Sequence, residues 1–286
     1  MGQEKIMKMG IINIKTHPHS PEKYRSLITD AFNLGRLVKI RGDDWGTTHY
    51  LNETADGEMY GEIYRFLQID PKAEWLDLRR RKPIVDAEGN PIPQVADDLK
   101  PNTRRILFVF EPNSHRLFFD AKGITPNLMK QYLEKMLNDR TLQRTYGEVY
   151  VEVEASQEAI EKIIKIPTLT RLEIVISRPN DDVYDQAQRF LDKMENRGTR
   201  KFHQIETSTR NEGITPDEDT IGLMEVAKSN GMVFAVGYDG GERIEESTIP
   251  HPLIIPARYD EERTSLLRTM IDEGLRFIDT LRRRTR

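Results

Sequence analysis

The sequence predicts an α+β fold with mixed, largely antiparallel sheets that are covered by helices, and with a C-terminal helix. Three observations lead to this prediction. Segments with helix and strand periodicity alternate over residues 125–238. Hairpin signals stand on both sides of that alternation, at 111–114 and 239–241, and they argue against a purely parallel sheet. An amphipathic stripe over 260–283 predicts the final helix.

The first hundred residues are predicted to form a strand, one helix and a small antiparallel meander. Ser20 followed by Pro21 is typical of a helix N-terminus. Periodicity is lost over 70–101, which contains five prolines, so this stretch is predicted to be a long surface excursion with a hairpin around Gly89. The predicted regular elements are strands at 7–15, 37–41, 47–51 and 59–69 and a helix from 20 to about 35.

The remainder alternates strands and helices. The strand at 147–154 has period two, so its glutamates are interpreted as a solvent face. The polar strand at 200–209 is predicted to be a sheet edge. The chain divides into segments 1–101 and 102–286, or forms one continuous domain. The predicted elements are strands at 105–110, 115–120, 147–154, 169–177, 200–209, 232–238 and 243–248, and helices that begin at 125, 156, 181, 215 and 260.

The composition limits the classes of function. The 286 residues include no cysteine, which excludes disulfides, thiolate metal sites and a cysteine nucleophile. There is no apolar run near the roughly 18 residues that a membrane span needs, and the N-terminus lacks the apolar core of a signal peptide. We therefore expect a cytoplasmic protein without a membrane partner. The net charge of −4 requires any nucleic-acid surface to be a local basic patch.

Three basic clusters indicate such a surface, because arginine side chains suit phosphate oxygens. They favour a protein that binds DNA or RNA without intrinsic catalysis. The alternative is a solvated loop and a helix C-terminus that its dipole favours. Because the clusters are not interleaved with aromatic residues in the sequence, they do not indicate a platform for stacking single-stranded bases. The candidate nucleic-acid-binding residues are Arg79, Arg80, Arg81, Lys82, Arg104, Arg105, Arg282, Arg283, Arg284 and Arg286.

A metal-dependent nuclease or phosphodiesterase stays open as a second hypothesis. His17 and His19 form an H-x-H pair before a helix, and Asp43 and Asp44 lie in a turn that could supply carboxylates for magnesium. The same residues are typical of a connecting turn and of a tight hairpin. The P-loop, dinucleotide-binding and serine-hydrolase signatures are missing from the sequence. The sequence therefore predicts no catalytic residue, cofactor or metal ligand.

Seven blocks of the sequence stand out: THPHSPEKY, VKIRGDDW, GEIYRFLQID, RRILFVFEPNSHRLFFD, YGEVYVEVEAS, IPTLTRLEIVISRPN and ITPDEDTIGLMEVAKSNG. Together they resemble a bacterial domain-of-unknown-function family that is seen near restriction and phage-defence genes. The similarity covers about 9–238. It implies a cytoplasmic component of antiviral defence that acts with a partner defence protein or as a homo-oligomer, and it supplies no site residues. A protein-recognition module, with strand 200–209 as its edge, is a third hypothesis.

Overall fold

The structure, a computed structural model, describes residues 4–92, 94–178, 185–209, 211–260 and 264–283. These residues form 14 strands and seven helices. The strands are β1 (Glu4–Thr16), β2 (Val38–Arg41), β3 (Asp44–Glu53), β4 (Met59–Leu67), β5 (Leu76–Asp77), β6 (Lys82–Pro83), β7 (Arg104–Glu111), β8 (Arg116–Asp120), β9 (Val149–Val153), β10 (Thr168–Ser177), β11 (Lys201–Thr207), β12 (Gly231–Asp239), β13 (Glu242–Ser247) and β14 (Ile254–Asp260). The helices are α1 (Pro21–Leu34), α2 (Pro126–Leu137), α3 (Arg140–Tyr146), α4 (Gln157–Ile164), α5 (Asp185–Asn196), α6 (Glu218–Asn230) and α7 (Leu266–Arg283).

The strands form two main antiparallel sheets. The large sheet has the order β14-β1-β8-β7-β4-β3-β2, and β9 also pairs with β1. The small sheet has the order β11-β10-β12-β13. This architecture confirms the predicted α+β class with its C-terminal helix. Strands from both predicted segments, 1–101 and 102–286, share the large sheet. Among the described helices, none combines the length and the apolar character that crossing a membrane requires.

The large sheet is covered on both faces near β1. Ile12 and Ile14 point to one face, where they pack with residues of α1, α2 and α3. Met7, Met9 and Ile11 point to the opposite face, where they pack with α7. The side chains of a strand alternate between its two faces, so these five apolar residues build both cores. We call the α1–α2–α3 side the inner face and the α7 side the outer face.

The small sheet packs against α4 and α6, and its own core includes Ile174, Ile176 and Met224. Its order places β11 at one end, where β11 pairs with β10 and, among the described strands, with no other. The predicted edge strand at 200–209 is therefore confirmed. The exposure of β11 side chains alternates along the strand, which is typical of a half-solvated edge.

Helix caps were read correctly from the sequence in the first half of the chain. Ser20 caps α1, with its Oγ accepting from the Lys23 N–H at 3.2 Å. Thr125 caps α2 in the same way. The expected cap at Thr215 is wrong: α6 begins at Glu218, and the Asp217 carboxylate accepts from the Thr220 N–H at 2.8 Å. An acidic side chain is an equally good cap and also favours the positive end of the helix.

Four elements escaped sequence prediction: the two-residue strands β5 and β6, the strand β14 and the helix α3. The stretch before the final helix contains prolines and was expected to be an irregular crossing, yet 254–260 forms β14. Pro256 is tolerated because β14 is the end strand of its sheet, where a missing N–H donor breaks no ladder. The short helix α3 was also missed, since seven residues are too few for a clear periodicity. The expected start of the helix at 181 lies outside the described residues.

Candidate nucleic-acid interface

The excursion between β4 and β7 contains a basic hairpin. The chain leaves the large sheet at Leu67 and returns at Pro101, whose carbonyl accepts from the Leu67 N–H at 3.0 Å. Within the excursion β5 pairs with β6. The Asp77 carboxylate closes the turn between them by accepting from the N–H groups of Arg79 and Arg80, at 2.8 and 3.1 Å. This local hydrogen bonding fixes the backbone and leaves the arginine side chains pointing outward.

The hairpin tip exposes four consecutive cations. Arg79, Arg80, Arg81 and Lys82 are all exposed, and Leu78 beside them is 80% exposed. Arg80 lies 3.6 Å from the Asp77 carboxylate. The other three cations form no ion pair among the described residues. A tip with this excess of positive charge can contact phosphate groups without breaking an existing pair.

Arg104 and Arg105 stand at the root of the excursion but on different faces of the sheet. Arg104 lies opposite Arg65, on the inner-face register of β7 and β4. Arg105 lies opposite Tyr64, on the outer-face register. The Arg65 guanidinium already has an anionic partner, since it donates two hydrogen bonds to the Asp44 carboxylate, at 2.7 and 3.1 Å. Arg105 is exposed and forms no ion pair among the described residues.

Aromatic side chains surround Arg105 on the outer face. The His49 ring lies on Tyr64, with the two ring centroids 4.5 Å apart, and its second neighbour is Tyr50 at 5.2 Å. Burial and then the nearby Glu62 carboxylate raise the pKa of Tyr50, while the positive charge of Arg105 acts to lower it. His49, Tyr50 and Tyr64 are candidate site residues that the linear clusters did not reveal. The alternation of Tyr60, Glu62 and Tyr64 along β4 was the sequence signal that could have placed these aromatic residues on one face of the strand.

The third basic cluster ends α7. Arg282 and Arg283 are exposed, and α7 packs on the same outer face that presents Arg105. Arg284 and Arg286 lie outside the described residues. The structure therefore places Arg105 and the end of α7 on one side of the large sheet, with Arg104 on the other.

The residues of the metal hypothesis do not converge. Asp44 is held in its ion pair with Arg65, and Asp43 is exposed in the turn before β3. His17 lies at the far end of β1, where burial, followed by the positive charge of Arg178, lowers its pKa to about 4. His19 lies near His115, with ring centroids 6.4 Å apart. Within the part of the chain that the structure describes, no three carboxylate or imidazole side chains are grouped to hold a metal ion.

Residues 5–273 match the model of a domain of unknown function, DUF4747. The chain belongs to the DUF4747 family. A comparison with curated proteins finds no match. The family assignment confirms the resemblance at the level of a domain of unknown function, and the expected neighbourhood of defence genes stays a prediction.

This DUF4747 chain has a second concentration of charge, buried between its two sheets. Lys15 of β1 is fully buried, and its Nζ donates to Ser177 Oγ of β10 at 2.7 Å and to Asn230 Oδ1 at 3.1 Å. Glu152 of β9 accepts from Ser177 Oγ at 3.1 Å and from Lys130 Nζ at 2.6 Å. Burial acts to raise the pKa of Glu152, but Lys130, Lys15 and these hydrogen bonds outweigh it and lower the pKa.

A buried ion pair continues this network across the sheet junction. Glu154 Oε1 accepts from Arg116 Nε at 2.8 Å, and Glu154 Oε2 accepts from Ser229 Oγ at 2.6 Å. Arg116 and Glu154 are both buried. The interpretation of Glu152 and Glu154 as a solvent face is therefore wrong, because the small sheet and α6 cover that side of β9. We refer to Lys15, Arg116, Glu152, Glu154, Ser177 and Asn230 as the junction network.

Proposed function

We propose that this DUF4747 protein binds nucleic acid at the hairpin end of its large sheet. The observation that supports the proposal most directly is Arg105. It is an exposed cation beside Tyr64 on a strand face, at the root of the excursion whose hairpin presents Arg79 to Lys82. Cations bind the phosphates of DNA and of RNA alike, and such contacts supply most of the affinity that is independent of nucleotide sequence.

Two other groups of cations in the molecule already have partners. The junction network is buried and internally paired, so its cations are not available to a ligand. Lys162 of α4 and Lys165, which directly follows α4, are exposed, and each faces a glutamate one helical turn away. Arg79, Arg81, Lys82 and Arg105 combine exposure with a lack of ion-pair partners among the described residues.

Fluorescence anisotropy with labelled DNA and RNA oligonucleotides, measured across a salt series, tests the proposal. The double variant Arg79→Ala/Arg81→Asn removes two tip cations; asparagine is chosen because Arg81 has a φ of 52°, which asparagine tolerates. We expect several-fold weaker binding and a salt slope that is less steep by about 1.4 to 1.8, since each phosphate contact contributes about 0.7 to 0.9.

The matched control is Lys162→Ala/Lys165→Ala, which removes the same charge from α4. We expect this variant to bind like the wild type. If the wild type binds neither DNA nor RNA at low salt, or if both double variants weaken binding equally, the proposal is wrong.

The role in antiviral defence stays a prediction that rests on the resemblance. The protein-recognition hypothesis also stays a prediction; the observation that favours it is the open edge of β11, on which Ile205 is exposed. The nuclease hypothesis has no comparable support, because its aspartates and histidines are not grouped in the described structure.

A further inference from the structure

We propose that the nucleic acid is single-stranded and that its bases stack on the outer face of β2, β3, β4 and β7. This inference rests on the proposed function and names its ligand class. The surface concerned, which we call the outer-face platform, consists of Lys39, Trp45, His49, Tyr50, Tyr64 and Arg105.

Strand register places these side chains on one face. Tyr64 lies opposite Thr47 on one side and opposite Arg105 on the other. Two residues back along β3, Trp45 lies opposite Phe66 and also opposite Lys39 of β2. The residues between them point to the inner face, which helix α2 covers. Gly46 is an example, because a Cβ on it would lie 2.7 Å from the Tyr132 ring of α2.

A β-bulge in β3 adds the His49 ring to the platform. The pairing of β3 with β4 shifts between Thr48 and Tyr50, so His49 is an extra residue. Its ring nevertheless lies against Tyr64, and the next residue, Tyr50, faces Glu62 on the same side. Bulges re-aim side chains in this way. The strands approach so closely here that a Cβ on Gly61 would lie 2.1 Å from the Tyr50 carbonyl oxygen.

The result is an aromatic ring on each successive cross-strand row. Trp45, Tyr64 and Tyr50 belong to three consecutive rows of the β3–β4 pair on this face, whereas Tyr60 of the next row packs against the core that α7 covers. Rows two residues apart are separated by about 7 Å along a strand, a spacing that an extended single strand can follow. Helix α7 covers the outer face over β1 and β8, and it contacts β7. Trp45, Tyr50 and Tyr64 are half-buried and His49 is exposed.

Charge on the platform suits a polyanion. Lys39 and Arg105 are exposed at opposite sides of the rows. Glu62 is a carboxylate on the same face, and His49 Nδ1 lies 3.4 Å from it. Aromatic rings on a sheet stack with the faces of unpaired bases, whereas a duplex keeps those faces inside its own stack. The platform therefore adds affinity for a single strand that the hairpin cations alone do not provide.

Competition between strand types tests the inference in the full-length protein. A 12-nucleotide DNA, the same sequence as RNA, and the corresponding DNA duplex are compared by anisotropy. We expect the single strands to bind at least tenfold more tightly than the duplex. Tyr64→Ala is expected to weaken single-strand binding about tenfold and duplex binding little, while Tyr64→Phe keeps the ring and the affinity. Tyr238→Ala, in the small sheet, is the control for loss of a tyrosine.

A second readout reports stacking directly. The chain has two tryptophans, Trp45 and Trp75, so Trp75→Phe leaves Trp45 as the single emitter. We expect the single strand to quench its fluorescence and the duplex to leave it unchanged. Duplex binding that equals single-strand binding, or a bound single strand that leaves Trp45 unquenched, overturns the inference but not the proposed function. Failure of every oligonucleotide to bind overturns both.

Discussion

Charge is concentrated in two regions of this molecule, the junction network between the sheets and the hairpin end of the large sheet. In the junction network Lys15 is fully buried and Arg116 and Glu154 are nearly so, and each is hydrogen-bonded. At the hairpin end, Arg79 and Arg105 are exposed and form no ion pair among the described residues. Charged residues of similar types thus occupy opposite environments.

The difference separates stability from binding. A buried charge must be paired, because an unpaired one loses its hydration without compensation. Removing one member of the junction network should therefore destabilise the fold. An exposed cation without a partner contributes little to folding and stays available for a ligand. Removing one from the hairpin end should leave the fold intact and change only binding.

The largest expected effect is that of Glu154→Ala. It leaves Arg116 buried without its carboxylate, and loss of one partner of a buried pair costs about 3–5 kcal/mol. Urea denaturation should show this loss as a lower midpoint. The double variant Arg116→Met/Glu154→Leu should recover most of it, since no unpaired charge remains. A Glu154→Ala protein as stable as the wild type would contradict the view that the pair matters to folding.

A smaller effect is expected from His17. Burial, and secondarily Arg178, lower its pKa to about 4 in the folded protein, against about 6.5 when unfolded. Between pH 6.5 and pH 4 the unfolded chain therefore binds a proton at His17 that the folded protein does not bind. The contribution of His17 to the free energy of unfolding is complete above pH 6.5 and is lost as the pH drops toward 4. Because His17 is partly exposed, we expect a loss of only about 1–2 kcal/mol.

Denaturation midpoints at pH 7 and pH 4.5 measure this change. His17→Gln cannot titrate and should lose less stability over the same interval. His203→Gln is the control for the loss of an exposed histidine; that side chain lies on β11 and pairs with the Glu173 carboxylate at 2.8 Å. If His17→Gln and the wild type have the same pH dependence, His17 does not limit stability in acid.

The sequence was sufficient for most regular elements because their signals are local. The Ser20 and Thr125 caps, the edge strand and the Gly89 turn, in which the Gly89 N–H donates to the Asp86 carbonyl at 3.2 Å, were all identifiable from neighbouring residues. The period of 147–154 correctly predicted that Glu152 and Glu154 share a face. It could not reveal that this face is buried, because the small sheet that covers it is formed by residues far along the chain.

The candidate site was less predictable for the same physical reason. Arg105 and Tyr64 are neighbours only through the pairing of β4 with β7, and Lys39 meets Trp45 only through β2 and β3. The clusters of consecutive arginines were visible in the sequence, but their aromatic neighbours are assembled by register. A one-residue shift in register would send each of these side chains to the other face.

The smallest expected effect on stability, and the sharpest test of the comparison, comes from Arg104 and Arg105. Each is exposed and without an ion pair among the described residues, so Arg104→Ala and Arg105→Ala should both change the free energy of unfolding by less than about 0.5 kcal/mol. They point to opposite faces, however, and Arg105 alone stands beside Tyr64.

Binding should therefore distinguish two adjacent residues of the same type. We expect Arg105→Ala to weaken single-strand binding several-fold and to reduce the salt slope by about 0.7, and Arg104→Ala to change both measurably less. Anisotropy titrations at two salt concentrations are sufficient for this comparison. Equal losses from both variants would mean that the basic end attracts nucleic acid as a diffuse field. A loss confined to Arg105 would locate the ligand on the outer face, because that orientation is the main difference between the two side chains.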